Sequence, residues 1–355
     1  MKKIILIASA LLLCAAAFAQ DEKPEYSYKQ TGFASTPKFG AYIIGSYKYS
    51  TLPSDNGGPG FNARLIRAYV DGSIFTDFKY RFQMELNGTP HMKDFYIEWA
   101  KYKEFSVKFG QFKRAFTFEN PMNPWDVGVG DYSQLVKKLA GMGDFCGEAS
   151  MGGRDQGIQF QGDLLPIGED EHRLIHYQLG IYNGNGINRA DNNKNKDLIG
   201  TIQFQPIAGL YVGAFGWMGD WSNGTVTVDR QRVCFGAKYD KNNWTFRTEY
   251  ATSKGYKASD LDEVTGDPRP LAGDPKADAF YATVGVPVQP WLKVYLKCDQ
   301  YRDRASEITR HTIYSAATNF WLHKNLYFQL ECRQHDNRQI NDNYTELWLQ
   351  TYIRF

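Results

Sequence analysis

The sequence predicts an all-β fold, a closed antiparallel β-barrel of about sixteen strands that crosses a membrane. The stretch DFKYRFQMELN, residues 77–87, alternates between apolar and polar residues without a break. Aromatic residues make up 15% of the 355-residue chain and fall in runs of the same kind. Beyond the first twenty residues, no segment of the sequence approaches the roughly 18 uninterrupted apolar residues of a membrane-spanning helix. A chain that is polar on average but apolar at every second position is typical of a barrel whose outer face meets lipid.

The first nineteen residues have the order of a secretory signal peptide. Two lysines precede an apolar run, and the small residues at 17–19 follow it. We therefore expect cleavage after Ala19 and export of the mature chain. Cys14 follows Leu13 rather than a small residue, so we do not expect a lipid-anchored N-terminus. The predicted organisation is a signal peptide at 1–19, an N-terminal periplasmic segment at 20–37 and a barrel domain at 38–355.

The mature chain is predicted to carry no net charge and no disulfide framework. Cleavage would remove two lysines and leave 39 basic and 39 acidic residues, so nucleic acid is not an expected partner. Four cysteines remain, and they are too few and too scattered for a disulfide scaffold. Cys298 and Cys332 fall on predicted strands 13 and 15, about 9.6 Å apart, which is too far to bridge. A bridge between Cys146 and Cys234 stays open.

The alternating runs give about sixteen candidate strands of roughly 9 to 14 residues, near the length that a tilted strand needs to cross a bilayer. Each run has an apolar face, such as Phe95, Ile97 and Trp99, and a polar face. Tight connections such as 240–243 alternate with long polar ones such as 253–276. This is expected when one barrel end faces the periplasm and the other faces outside.

The polar face of these strands is predicted to be a pore wall. Hydrocarbon offers no partner to an unpaired backbone amide, so a strand crosses only inside a closed sheet. Phe82 would then meet lipid, while Arg81 and Glu85 would face the interior. At sixteen strands the interior is too wide for side chains to fill, so it should hold water.

Four stretches resemble a known family. They are RLIRAYVDGSIFTDFKYRFQMEL from residue 64, VKFGQFKRAFTFEN from residue 107, GGRDQGIQFQGDL from residue 152 and YNGNGINRADNNKNKDLIG from residue 182. On these residues the chain resembles the phosphate-selective porin O and P family of bacterial outer-membrane channels, over about residues 38–206. The terminal Phe355 resembles the tag that outer-membrane barrels present to their assembly machinery.

The resemblance implies a trimeric outer-membrane pore without a cofactor, through which ions and small hydrophilic solutes diffuse passively. Its lumen arginines and lysines guide anions in the phosphate-binding members. Arg64 and Arg67 match the arginine-rich second strand of the family, and Lys113 and Arg114 match its basic residues after Gly-Gln-Phe. Leu65 stands where members often have an adjacent arginine, which weakens the expectation of phosphate selectivity.

The connection after the fifth strand, residues 117–152, is predicted to be a constriction loop. Connections longer than about 12 to 15 residues are usually functional or disordered, and Pro121, Trp125 and the helical pattern SQLVKKLAG favour order. In sixteen-stranded porins the loop after strand 5 folds inward and narrows the channel. An external loop over the mouth is the alternative. The side chains expected to face permeating ions are Asp126, Asp131, Lys137, Lys138 and Asp144.

Basic side chains are predicted to line the pore. Alternation places Arg67, Lys79, Arg81, Lys108, Arg232, Lys238 and Arg247 toward the lumen, and the resemblance adds Lys113 and Arg114. Rings of arginine and lysine favour anions, but interleaved acidic residues such as Asp94 and Glu249 cancel much of that field, so the wall predicts at most a weak anion preference. For any single residue, the pattern favours a solvated wall charge paired across strands over a functional role.

Other functions have weaker support in the sequence. Residues 191–197 space their oxygen ligands as a calcium loop does, but Lys196 replaces the required glycine, so no metal site is predicted. No Gly-x-Ser-x-Gly motif is present, and the chain is predicted not to be an enzyme. Three alternatives stay open: a secreted soluble β-fold, a surface adhesin or binding barrel that uses the loop at 253–276, and a barrel hydrolase.

Overall fold

The computed structural model describes residues 35–52, 59–143, 152–222, 225–262, 265–269 and 275–355. Within them sixteen antiparallel strands form one closed barrel, in which each strand pairs with its sequence neighbours and the first strand pairs with the last. The predicted fold class is thus confirmed. The strands are β1 Lys38–Ser50, β2 Gly60–Ile74, β3 Phe78–Glu85, β4 His91–Trp99, β5 Ser106–Lys113, β6 Arg154–Ile167, β7 His172–Tyr182, β8 Asp197–Ile207, β9 Leu210–Ser222, β10 Thr227–Lys241, β11 Trp244–Lys254, β12 Lys276–Gln289, β13 Leu292–Asp303, β14 Arg310–His323, β15 Leu326–Asn337 and β16 Asp342–Arg354.

The two ends of the barrel differ in the length of their connections. The end at which β1 begins and β16 ends carries tight turns, including 208–209, 242–243 and 324–325. The longest connections, 114–153 and 255–275, lie at the opposite end. Short turns are periplasmic in bacterial outer-membrane barrels. The long-loop end therefore faces outside.

Apolar side chains cover the outside of the barrel. Val70, Phe82 and Phe95 stand opposite one another on β2, β3 and β4. Phe82, Phe235 and Leu296 are 50%, 58% and 60% exposed. Such exposure is normal only where hydrocarbon replaces water or another subunit covers the surface.

One β-bulge breaks the alternation on β4. Gln83 pairs with Asp94, but Met84 pairs with Met92, so the backbone register between β3 and β4 skips position 93. A bulge of this kind re-aims side chains, and here both Lys93 and Asp94 are buried on the lumen side. A strict alternation would have sent Lys93 to the lipid face.

The described part of the connection between β5 and β6, residues 114–143 and 152–153, folds into the barrel, and we call it the constriction loop. It contains a 3₁₀ helix, Pro124–Asp126, and a short α-helix, α1, Gln134–Leu139. Asn123 and Ser133 cap these helices by accepting hydrogen bonds from backbone N–H groups. No described helix is long and apolar enough to cross a membrane. The predicted signal peptide and residues 20–34 lie outside the described residues.

An apolar core lies inside the barrel, between the constriction loop and the strands β9 to β13. Phe116, Val136 and Leu139 of the loop are fully buried against wall residues that include Trp217 and Tyr281. Burial of apolar surface contributes about 25 cal/mol per Å² to stability. The buried side chains of the loop therefore stabilise its position inside the barrel. The loop is therefore part of the folded core of the protein.

Candidate channel and constriction

Carboxylates of the barrel wall hold the backbone of the constriction loop. Glu249 accepts hydrogen bonds from the N–H groups of Phe118 at 2.6 Å and Glu119 at 3.2 Å. Asp299 accepts from the N–H of Gln134 at 2.9 Å, at the N-terminus of α1. Glu331 accepts from the N–H of Gly130 at 2.6 Å. Charge-assisted hydrogen bonds of this kind are the stronger ones, so wall acids on β11, β13 and β15 fix the loop.

Basic and amide side chains of the same wall bind the loop carbonyls. Arg247 donates to the carbonyl of Val127 at 3.0 Å, and Arg232 donates to that of Leu139 at 2.8 Å. Gln329 donates to the carbonyl of Gly128 at 2.9 Å. The loop thus covers the wall from β8 to β15 and leaves the lumen on the side of β2 to β7.

Within the described residues, three cavities that share lining residues lie on the uncovered side of the lumen, and we call them the compartments of the passage. The constriction compartment, about 200 Å³, lies between strands β1 to β7 and the loop residues 115–124. An upper vestibule of about 300 Å³ lies toward the long-loop end, and a lower vestibule of about 740 Å³ lies toward the tight turns. Arg67, Lys113 and Arg154 line both the constriction compartment and the upper vestibule. Pro121 lines both the constriction compartment and the lower vestibule.

Cations dominate the described lining of the constriction compartment. Its charged residues are Arg67, Arg81, Lys108, Lys113, Arg154 and one acid, Asp94. These side chains project from β2 to β6, the wall that the loop leaves uncovered. An anion in this compartment therefore meets more positive than negative charge.

Hydrogen bonds hold the arginines of this compartment in place. Arg67 donates to Glu85 at 2.9 Å and to the hydroxyl of Tyr42 at 2.8 Å. Arg154 donates to both carboxylate oxygens of Asp94, at 2.7 and 2.9 Å. Bidentate contacts fix both the direction and the position of a guanidinium. These arginines are therefore preorganised wall charges.

Lys113 is held differently, by neutral partners. Its Nζ donates to the carbonyl of Met122 and, at 3.1 Å, to the hydroxyl of Tyr132, and it lies 5.2 Å from that ring. Neither partner carries a negative charge. Its positive charge is therefore less cancelled by direct contacts than that of Arg67 or Arg154.

The upper vestibule adds further cations from the wall and the loop. Arg64, Lys93 and Lys137 line it together with the acids Glu85 and Asp131. Asp131 accepts from Arg64 at 3.0 Å and also from Lys137. Burial alone would raise the pKa of Asp131, but the adjacent Lys137 and Arg64 outweigh it and hold that pKa well below its usual value. Asp131 is therefore ionised at neutral pH and fixes the loop edge.

The lower vestibule combines lysines with aromatic rings. Lys79, Lys101, Lys103 and Lys238 line it, with the acids Glu98 and Asp163. The ammonium of Lys238 lies 4.5 Å from the ring centre of Tyr211 and 5.2 Å from that of Phe118. The excess of basic over acidic residues thus extends to the end with the tight turns.

Six of the predicted pore-lining residues lie along the passage: Arg67, Lys79, Arg81, Lys108, Lys113 and Lys238. The other three predicted residues do not line these compartments, and their role in the pore stays a prediction. Arg114 is buried against Asp155 at 2.7 Å. Arg232 and Arg247 bind loop carbonyls beneath the constriction loop. Alternation shows which residues face inward, but it cannot show which of them the loop covers.

The predicted loop residues separate in a similar way. Asp131 and Lys137 line the upper vestibule. Asp126 and Lys138 are exposed, but neither is among the residues that line the three compartments. Asp144 lies outside the described residues, as does Cys146. Cys234 is a buried free thiol 3.6 Å from Glu249.

Among the cations of the constriction compartment and the upper vestibule, Lys93 and Arg154 were not predicted. The adjacent charges of Lys93 and Asp94 within a strand are a signal of a bulge that could have identified Lys93. Arg154 lies in the motif GGRDQG, which has no alternating pattern that would assign it to one face. In the described part of the chain, no three His, Cys, Asp or Glu side chains are grouped to hold a metal ion.

Solved structures with the same fold are porins and other outer-membrane proteins. The anion-selective porin from Comamonas acidovorans has a TM-score of 0.68 and 13% identity, and the match covers 90% of this chain and 99% of that one. The trimer form of OmpT from Vibrio cholerae has a TM-score of 0.60 and 12% identity, with 90% and 99% covered. OmpF of Salmonella typhi, in complex with daunomycin, has a TM-score of 0.60 and 12% identity, with 90% and 97% covered. These identities show the fold alone.

A sixteen-stranded barrel with a loop folded into a charged lumen defines the class of the protein as a porin. The family model for phosphate-selective porin O and P matches residues 46–242, more than half of the chain. The chain belongs to that family, and it is an outer-membrane channel for small solutes. The comparison with curated proteins gave no significant match.

Proposed function

We propose that this porin passes small hydrophilic solutes passively and prefers anions. The observation that carries the proposal is the charge of the passage. Twelve basic and five acidic residues line the three compartments, within the described part of the chain. Several wall acids that would cancel this charge, such as Glu249 and Asp299, bind the loop backbone instead.

The physical effect is a lower energy for an anion than for a cation in the passage. A unit charge at 4 Å contributes about 1 kcal/mol in water and more where the wall reduces the local dielectric constant. Salt screens the effect, with a Debye length of about 10 Å at 0.1 M. We therefore expect anion selectivity that is strongest at low ionic strength.

Planar bilayer recordings of the purified protein test this proposal. Under a KCl gradient, the reversal potential should have the sign of a chloride-selective pore, and it should move toward zero as both salt concentrations rise. A cation-selective reversal potential would refute the anion preference while leaving the channel intact.

Phosphate is a candidate anion for the constriction compartment. Arg67, Lys113 and Arg154 lie at its junction with the upper vestibule, and guanidinium groups bind phosphate oxygens in bidentate fashion. Phosphate added to a chloride recording should then reduce the chloride current at concentrations well below that of chloride. An unchanged current would rule out phosphate binding and leave general anion preference.

We further propose that the protein forms trimers through the strands β3, β4 and β5. These strands have 8, 9 and 8 residues, whereas the others have 11 to 15. A strand of 8 residues spans roughly 19 Å when tilted by about 45°, which is less than the apolar band of about 25 Å. An apolar groove lined by Val70, Phe82 and Phe109 runs along the outer face of these short strands. A neighbouring subunit would cover it better than lipid, and trimers occur in the similar OmpT structure.

The oligomer proposal predicts different results for two outward-facing residues. Phe82→Arg, on β3, should give monomers on native gels in detergent. Leu296→Arg, on β13, should destabilise the barrel in lipid by about 2 to 4 kcal/mol near the midplane but leave trimers in detergent. Trimers of Phe82→Arg would contradict the assignment of this interface.

We propose that no covalent chemistry accompanies transport. The family and fold are those of channels, and solute movement down a gradient requires only pore size and wall charge. A hydrolase would release fatty acid from detergent-solubilised phospholipid, and an adhesin with a closed pore would show no conductance. Either result would replace the channel proposal.

A further inference from the structure

Three arginines stand side by side on the outer face of the barrel at its long-loop end. Arg302 on β13 is directly opposite Arg310 on β14. The backbone N–H of Arg338, just after β15, donates to the carbonyl of Arg310 at 2.9 Å. Arg302 and Arg310 share strand faces with Leu296 and Tyr314, which are exposed on the outside. We call these three residues the arginine row.

A single carboxylate contacts all three members of the row. Glu307 lies 2.7 Å from Arg302, 3.0 Å from Arg310 and 3.6 Å from Arg338. Its side chain is about half exposed, at 53%. Like charges directly opposite one another are unfavourable in a sheet. The row therefore needs an anion, and Glu307 marks where that anion sits.

Two further acids in the described part of the chain pair with members of the row. Asp278 pairs with Arg302 at 2.6 Å, and Asp336 pairs with Arg310 at 3.1 Å. On the adjacent strands, Lys254 and Lys276 are directly opposite each other. Within the described residues, five basic and three acidic residues thus lie on this part of the outer face.

The side of the barrel proposed as the subunit interface looks different. Toward the same long-loop end, the outward positions of β3 and of the adjoining strands β2 and β1 carry apolar residues such as Met84, Phe61 and Tyr47. The arginine row thus belongs to the side that faces lipid. It lies above the exposed apolar belt, at the level where lipid headgroups begin.

We propose that the arginine row binds the phosphate group of an anionic lipid headgroup in the outer leaflet. Guanidinium groups donate paired hydrogen bonds to phosphate oxygens, and an outward row at the headgroup level presents them to lipid. The phosphate binds either in place of the Glu307 carboxylate or beside that carboxylate, on its solvent side. The acyl chains then lie along the exposed surface near Leu296 and Tyr314.

Lipid binding to the full-length barrel in detergent tests the proposal by native mass spectrometry. The probes are dioleoyl phosphatidic acid, dioleoyl phosphatidylcholine and inorganic phosphate. The parent protein should bind phosphatidic acid more tightly than phosphatidylcholine. The double variant Arg310→Gln, Arg338→Gln keeps the pair of Arg302 with Asp278, and it should bind phosphatidic acid roughly 30-fold more weakly, about fivefold for each arginine.

Two further variants separate lipid binding from structure and from transport. Glu307→Gln removes the competing carboxylate and should bind phosphatidic acid more tightly, whereas a purely structural ion-pair cluster would not gain affinity. Arg81→Gln, in the channel, should shift the reversal potential and leave lipid binding unchanged. Equal affinity of the double variant and the parent protein would overturn the proposal. Displacement of the lipid by inorganic phosphate at equal concentration would also overturn it, since the row would then be a general anion site.

Discussion

Neutralising Lys113 should reduce anion selectivity, because its direct contacts do not cancel its single charge. Lys113 lines both the constriction compartment and the upper vestibule. Its hydrogen-bond partners are the carbonyl of Met122 and the hydroxyl of Tyr132. Glutamine at this position can still donate to one of them. The substitution Lys113→Gln therefore removes charge with little change in the shape of the loop.

The size of the effect follows from Coulomb's law and screening. An ion about 4 Å from the ammonium gains or loses about 1 kcal/mol in water, and 0.1 M salt reduces this to about 0.7 kcal/mol. Anions lose that energy and cations gain it, so their permeability ratio should change by about 1.4 kcal/mol, or about tenfold. At 1 M salt the Debye length is about 3 Å, and the expected change falls to about two- to threefold.

Reversal potentials at the two salt concentrations measure this change directly. Lys254→Gln is the matched control, because it removes the same charge from the outer face of β11, away from the passage. Its permeability ratio should equal that of the parent protein. Identical ratios for Lys113→Gln and Lys254→Gln at 0.1 M salt would show that the passage does not run past Lys113.

Three further predictions concern the attachment of the constriction loop. Glu249→Gln should weaken the hydrogen bond from the Phe118 N–H by about 1.5 to 3 kcal/mol, because the acceptor loses its charge. The barrel should still fold, but current fluctuations in single-channel records should increase. Gly130→Ala should displace the loop, because a Cβ would lie 2.4 Å from a carboxylate oxygen and 2.2 Å from an amide nitrogen of the wall, whereas Gly216→Ala, with open space around its Cβ, should be silent. Because the pKa of Asp131 is lowered on folding, the ionised Asp131 stabilises the loop above about pH 4, and this stabilisation is lost as the pH falls further. Single-channel current fluctuations of Asp131→Asn should therefore exceed those of the parent protein at pH 7. In strong acid the fluctuations of the two proteins should become equal.

The barrel could be predicted from the sequence because membrane strands satisfy two independent constraints. Backbone pairing makes successive side chains alternate between the two faces of the sheet, and lipid requires the outward face to be apolar. Phe82 and Arg81 follow both constraints, and the structure places them on opposite faces. The length of each strand and the position of the tight turns then follow from the same pattern.

The passage could not be predicted to the same degree, since its residues depend on contacts between distant parts of the chain. Lys93 reaches the lumen through a bulge, which shifts the pairing by one residue. Arg232 and Arg247 face inward as expected, yet the loop covers them. A period of two contains no information about where a loop some forty residues long will pack.

The inward loop and the positive passage have one physical cause. The mature chain is expected to have equal numbers of acidic and basic residues, so a uniform wall would favour neither sign of ion. Backbone N–H groups of a buried loop must find acceptors, and the carboxylates of Glu249, Asp299 and Glu331 supply them. These acids are thereby removed from the passage, while cations on the uncovered wall remain. The loop thus narrows the lumen and also converts a balanced set of charges into a field that favours anions.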